Sequence, residues 1–249
     1  MLTNWPEGVE KRVLERVDST LSEADRVAGT LSSPCWILAL EQTAARGRRG
    51  RPWSMPKGNF AATYVMQPVE QPEQVALRSF VASLALNDAF VAATGRVESF
   101  ALKWPNDVLL NGGKVAGILL ERTGMGHLSI GIGVNLADAP ATAEVEPGAV
   151  APVSLQGETG VLLTPESFLN LLAPAYAHWE AQFTTYGFEP IRTAWLARAA
   201  RLGEVIRART VSDEWTGTFE TVDETGQLVL LTAKSRVAIP AADVFFEGA

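Results

Sequence analysis

The sequence predicts an α+β protein in which strands and long helices share one large core, with a small all-β unit at the C-terminal end. Three observations lead there. Of the 249 residues, 47% are hydrophobic and 20% charged, which supplies enough apolar surface for a sizeable core and argues against disorder. Two long helical patterns, Glu73 to Thr94 and a second opened by Pro165, are set among short runs of period two. After Gly203 the texture changes to short strands separated by turns. The chain is therefore divided into a large domain over 1–200 and a small barrel-like domain over 201–249.

Taken in order, Thr20 followed by Glu23 fits a capping box, so Leu21 to Ala28 reads as a short helix behind Asp18-Ser19-Thr20. Residues 36 to 40 form an apolar strand ending at Glu41-Gln42, and Ala45 to Gly58, rich in Gly, Arg and Pro, reads as a loop. Phe60 to Met66 alternates as a strand; Pro72 opens and Gly95 closes one long helix over Glu73 to Thr94. A hairpin follows, built from Phe100 to Trp104, a Pro-Asn turn, Asp107 to Leu110, the turn Asn111-Gly112-Gly113, and Lys114 to Glu121.

In the strand from His127 to Asn135, period two puts Leu128, Ile130, Ile132 and Val134 on one face and Ser129, Gly131, Gly133 and Asn135 on the other. Glycines weaken a strand, so a bare face ended by a polar Asn points to the close approach of a ligand. Residues 137 to 160 read as a surface connection. Thr164 as N-cap and Pro165 at the first helical position start a helix with Phe168, Leu172, Trp179 and Phe183 on one stripe, interrupted at Pro174. A further helix runs from about Pro190 to Gly203, before strands at Val205 to Val211, Thr216 to Val222, Leu228 to Leu231 and Arg236 to Ile239.

Composition excludes several classes of function. A net charge of −7 argues against a nucleic-acid binder, which needs a basic excess to displace counterions. The N-terminus has no basic and apolar leader, and no run of about 18 apolar residues follows, which predicts a cytoplasmic protein with no membrane partner. Cys35 is the only cysteine, in an apolar strand, and His127 and His178 have no partner at ligand or triad spacing. No protein-built metal site and no histidine acid–base chemistry are expected.

Against that acidic background, Arg46-Gly47-Arg48-Arg49-Gly50-Arg51 concentrates four guanidinium groups in six residues. Glycines let a backbone approach phosphate oxygens, and arginines supply bidentate bonds, so the segment fits a lid that closes over an anion; a solvated RNA-binding patch is the alternative. Lys103 and Lys114 flank a hairpin whose strands are otherwise apolar. Two lysines and an arginine-rich lid describe a site that sets an anionic nucleophile against a nucleoside triphosphate and works mainly by electrostatics.

Four segments carry a specific resemblance: Glu41 to Trp53 with its Arg-Gly run, Leu102-Lys103-Trp104-Pro105-Asn106-Asp107, Lys114-Val115-Ala116-Gly117-Ile118-Leu119-Leu120-Glu121, and Ile130-Gly131-Ile132-Gly133-Val134-Asn135. In this order and spacing they resemble the motifs of the biotin protein ligases, over about residues 15 to 249. The resemblance implies a central mixed sheet flanked by helices and an SH3-like C-terminal domain. It implies that biotin is adenylated with ATP and Mg2+ to biotinyl-5′-AMP and passed to a lysine of a biotin carboxyl carrier protein.

Residue by residue, the resemblance implies that Ser19, Thr20 and Gln42 hold the biotin head. Arg46, Gly47 and Arg48 belong to the lid over biotin and adenylate, and Gly117 to the biotin side. Lys114 lies between the biotin carboxylate and the α-phosphate; Arg51, Trp53, Lys103, Asn106 and Asn135 lie on the nucleotide side; Asp107 orients the incoming lysine. The catalytic set is Lys114, Arg48 and Asp107.

Two positions depart from the family pattern. Leu21 stands where the family has Asn, which lowers affinity for biotin unless another polar group compensates, and Ala45 stands where the lid begins with Gly; both leave room for weaker retention of the intermediate. The 17 residues before Asp18 leave no room for the winged helix of bifunctional members, so DNA is not an expected partner, while exposed strand edges are compatible with a homodimer. A lipoate protein ligase of the same fold and a noncatalytic RNA-binding module are the competing readings.

Overall fold

Trp36 and Ile37 are neighbours in sequence and both buried, because the strand that carries them is covered on both faces. The computed structural model describes residues 5–123, 126–141, 145 and 148–246. Seven strands form one mixed sheet: β1 (Glu10–Leu14), β2 (Cys35–Ala39), β3 (Phe60–Met66), β4 (Phe100–Lys103), β5 (Asp107–Leu110), β6 (Gly113–Arg122) and β7 (Leu128–Val134). Their spatial order is β1-β2-β3-β7-β6-β5-β4, with β1 parallel to β2 and every other pair antiparallel.

On one face lies α1 (Thr20–Val27), whose Ala24 and Ala28 side pack on Cys35, Ile37 and Val65. The helices α2 (Pro72–Ala76), α3 (Arg78–Thr94), α4 (Leu155–Thr159), α5 (Pro165–Tyr186) and α6 (Phe188–Leu196) complete the large unit. The α3–α5 pair covers the opposite face, where Trp36, Tyr64 and Tyr176 form an aromatic cluster with centroids 4.8–5.8 Å apart. The alternation in β7 follows the expected division: Leu128, Ile130, Ile132 and Val134 belong to this core, which leaves Ser129, Gly131 and Gly133 on the α1 side.

The C-terminal unit is an antiparallel sheet of β8 (Val205–Arg209), β9 (Glu214–Val222), β10 (Leu228–Leu231), β11 (Arg236–Ile239) and β12 (Asp243–Phe246), in the order β11-β10-β9-β8-β12. Its inward residues, among them Ile206, Phe219 and Leu230, join the same continuous core as the large unit. The Asp223–Gly226 turn is pressed against the large unit: Trp104 Nε1 donates to the Gly226 carbonyl at 3.0 Å, and a Cβ at Gly226 would stand 2.7 Å from Leu77 Cδ2.

Several expectations are corrected. Ser19, not Thr20, caps α1, its hydroxyl accepting from the Leu21 N–H, so Thr20 is free for other bonds. The long helix from residue 72 breaks at Leu77, where the Leu77 N–H bonds to Gln74 three residues back. By length and composition alone Pro72–Thr94 could cross a membrane, contrary to the reading that no such stretch exists, but most of it is buried in the core. α5 runs through Pro174 without interruption, since the stripe Phe168, Leu172 and Phe183 is locked in the core and outweighs one lost hydrogen bond. α6 ends at Leu196 because the following chain pairs with β4: the Leu102 N–H donates to the Arg198 carbonyl and the Ala200 N–H to the Leu102 carbonyl, both at 2.8 Å. β1, α4 and β12 were not anticipated.

Candidate active site

The α1 face of β7 is bare so that two side chains of the chain itself can lie on it. A Cβ at Gly133 would meet Trp53 at 2.6 Å, and one at Gly131 would meet Leu21 at 2.9 Å. The sequence reading expected a ligand to approach these glycines; both line a cavity of about 350 Å³, and their missing side chains also make room for Leu21 and Trp53 in its wall. Every residue that the sequence singled out as a site residue lines this one cavity.

Its uncharged part is built at the start of α1. The Gln42 Oε1 accepts from the Thr20 N–H at 2.7 Å and from its hydroxyl at 3.2 Å, and Thr63 on β3 donates to the Thr20 hydroxyl at 2.9 Å. Ser19 and Thr20 are buried, and Leu21, also buried, adds an apolar wall.

The other end is charged. Asp107 lies opposite Lys103 on β4 and opposite Gly117 on β6. Lys114 stands an odd number of residues from Gly117 and in a regular strand would face the opposite side. A bulge between Val108 and Leu109 pairs Leu109 with Lys114, which returns the lysine to the Asp107 side. The Lys114 Nζ then sits 2.7 Å from one Asp107 oxygen and the Lys103 Nζ 3.6 Å from the other. Burial alone would raise the Asp107 carboxyl, but the charges of Lys114 and Lys103 outweigh it and hold it below the usual carboxylate range. Burial lowers the Lys103 ammonium. One carboxylate cannot neutralise two ammonium groups, so this end retains an excess of positive charge.

The arginine segment lies across the cavity. Arg46 makes a bidentate contact with Glu121 at 2.7 and 3.1 Å and donates to the Ser22 hydroxyl at 2.8 Å, so its guanidinium is engaged with the protein. Arg48 reaches inward to the Asn106 Oδ1 at 3.4 Å and the Ala242 carbonyl at 3.3 Å, and its burial lowers the guanidinium from its ordinary value. Arg49 and Arg51 grip Asp243 at 2.6 and 3.0 Å. Arg49 and Gly50 carry the left-handed turn, while Ala45 has no positive φ, so the replacement of Gly there introduces no backbone strain.

Two polar atoms in the cavity wall, the Trp53 Nε1 and the Asn135 Oδ1, are buried with no hydrogen-bond partner among the described residues. Buried polar groups are rarely left so, and these two mark where a ligand with its own donors and acceptors fits. Sequence reasoning missed Glu121 and Asp243: a lone acid in a strand carries no local signal, and both are recognised only through the arginines they hold.

Residues 13–135 match the Biotin/lipoate A/B protein ligase family, and residues 202–247 match the Biotin protein ligase C terminal domain. A biotin–[acetyl-CoA-carboxylase] ligase of Paracoccus denitrificans is 58% identical over 240 residues, 95% of this chain and 100% of that protein. The chain belongs to the biotin protein ligase family. The bifunctional ligase/repressor BirA of Escherichia coli is 28% identical over 233 residues, covering 90% of this chain and 70% of that one. The biotin protein ligase of Aquifex aeolicus, solved in complex with biotin and ATP, superposes with a TM-score of 0.82 at 25% identity, covering 94% and 97% of the two chains. In this biotin protein ligase both matched segments meet at one cavity: the first supplies Lys114 and the arginines, the second Asp243.

Proposed function

We propose that this protein is an ATP-dependent biotin protein ligase that adenylates biotin and transfers it to a lysine of a biotin carboxyl carrier protein, in the cytoplasm. The observation that carries the reading is one cavity lined together by Ser19, Thr20 and Gln42, by Lys114 and Arg48, and by Trp53 and Asn135. Within it the Lys114 Nζ is 2.7 Å from Asp107 and 5.5 Å from the Trp53 ring centroid.

In the first step a biotin carboxylate oxygen attacks the α-phosphorus of MgATP, and the bond to the pyrophosphate breaks. Lys114 and Arg48 hold the two anions together and offset the charge that develops on the phosphoryl oxygens. Thr20, Ser19 and Gln42 take the biotin head, with Arg46 and Gly47 over it and Gly117 beneath Trp53. Trp53, Asn135, Asn106, Lys103 and Arg51 form the nucleotide wall. In the second step the carrier lysine amine attacks the acyl carbon, AMP leaves, and Asp107, kept ionised by its lysines, orients the amine. Mg2+ enters with the triphosphate, whose oxygens are its natural ligands.

Biotin-dependent exchange of labelled pyrophosphate into ATP tests the reading. Exchange with biotin, none with lipoate, and its loss in Lys114→Ala is the expected result; exchange with lipoate alone would transfer the assignment to the lipoate ligases.

A further inference from the structure

We propose that Asp243, in the C-terminal unit, is a positioning residue for adenylation: it holds the arginine segment 48–51 in its working arrangement over the nucleotide end of the cavity. This rests on the ligase reading and adds to it a residue outside the segment that bears Lys114.

Arg48, Arg49 and Arg51 fall within four residues, and their mutual repulsion opposes any compact arrangement of that segment. A single carboxylate gathers all three: Asp243 lies 2.6 Å from Arg49, 3.0 Å from Arg51 and 3.8 Å from Arg48, with its own side chain 13% exposed. The neighbouring Ala242 carbonyl takes a second contact from Arg48 at 3.3 Å. Asp243 is itself fixed, because β12 pairs with β8 in the register Asp243↔Arg209 and Phe245↔Arg207, and Val244 is buried in the core. Asp243, Val244 and Phe245 also line the cavity. A strand of the C-terminal unit therefore forms one wall of the site and supplies the counterion of its lid. One carboxylate against three guanidinium groups leaves a positive excess, so the latch orders the arginines and still leaves them able to meet phosphate oxygens.

The test compares the full-length chain with Asp243→Asn, Asp243→Glu and Arg49→Gln. Expected for Asp243→Asn is a rise of about tenfold in the KM for MgATP, the scale of one lost charge-assisted contact, with kcat and the biotin KM little changed. Tryptic cleavage after Arg46 or Arg48, sites that every variant keeps, should quicken several-fold in the protein alone, a readout that needs no activity. Asp243→Glu should recover most of both effects, and the melting temperature should stay at the wild-type value. Arg49→Gln, at an exposed loop position, should raise the MgATP KM in the same direction, and adding Asp243→Asn to it should change little more, since both remove one interaction. If Asp243→Asn folds poorly, Arg49→Gln with its proteolysis decides alone. Unchanged KM and cleavage in both single variants, or failure of Asp243→Glu to recover either, overturns the latch. A wild-type chain that performs no biotin-dependent exchange but shows the cleavage pattern overturns the ligase reading and leaves the latch standing.

Discussion

Two clusters of buried charge in this molecule are opposite in composition and serve opposite ends. In the cavity, the carboxylate of Asp107 is shared by Lys103 and Lys114. Between α2, α3 and α5, the guanidinium of Arg78, 1% exposed, is shared by Glu70 at 2.9 Å and Glu180 at 2.7 Å, rests on the Phe183 ring, and is joined by the Tyr176 hydroxyl, which donates to Glu180. The second cluster lies outside the cavity that holds the first and uses its charges to tie helices together. The first keeps a cationic excess turned to open space. Burial of charge by itself therefore does not mark a functional site; the sign left over and the space it faces do.

The largest effect should come from the structural cluster. Arg78→Ala removes a buried guanidinium, leaves two half-buried carboxylates without their partner and should cost about 3–5 kcal/mol in urea unfolding. The folded fraction should keep its KM values for biotin and MgATP, and a change in either would break the separation between the clusters. Next, Lys114→Ala should lower pyrophosphate exchange by about 10²–10³, the loss typical of one preorganised group facing transition-state charge. Its melting temperature should hardly move, because Asp107 retains Lys103.

Smaller effects distinguish the two ends of the cavity. Gly133→Ala forces Trp53 off the sheet and Gly131→Ala forces Leu21 away, each an overpacking change of about 1–3 kcal/mol. The first should raise the KM for MgATP and the second the KM for biotin, measured in the same exchange assay. If both variants raise the same KM, the assignment of the two ends fails.

The site was more legible in the sequence than the path of the chain around it. Arg48, Lys103, Asp107, Lys114 and Asn135 lie in contiguous motifs, and it is the order and spacing of those motifs, more than any residue type alone, that marked them; the structure brings all five to one cavity. The β3 strand and the Gly95 cap were legible because alternation and glycine are local signals. β1 was not, since Glu10, Lys11 and Arg12 in an edge strand read as a polar tail. β12 was not, because four residues are too few to show a period, and with it went Asp243. The bulge that turns Lys114 toward Asp107 depends on strand pairing, so no sequence window contains it.

The smallest effect concerns acid. Burial would raise Asp107 and Glu70, yet their cationic partners prevail and both carboxyls lie below the ordinary range. A carboxyl lowered by folding contributes stability that is complete above its unfolded pKa and is lost as pH falls through the folded value. Unfolding of wild type, Asp107→Asn and Glu70→Gln should therefore be compared between pH 6 and pH 3. Each variant should show a shallower acid loss than wild type, by a small margin because burial opposes the ionic pull at both positions. Pyrophosphate exchange should separate them: substitution at Asp107, beside Lys114, should alter its pH profile on the acid side, while substitution at Glu70 should leave the profile of the folded enzyme in place. A profile altered equally by both would mean that the helix cluster and the cavity cluster are electrostatically one system, and the distinction drawn from the sign of their excess charge would no longer hold.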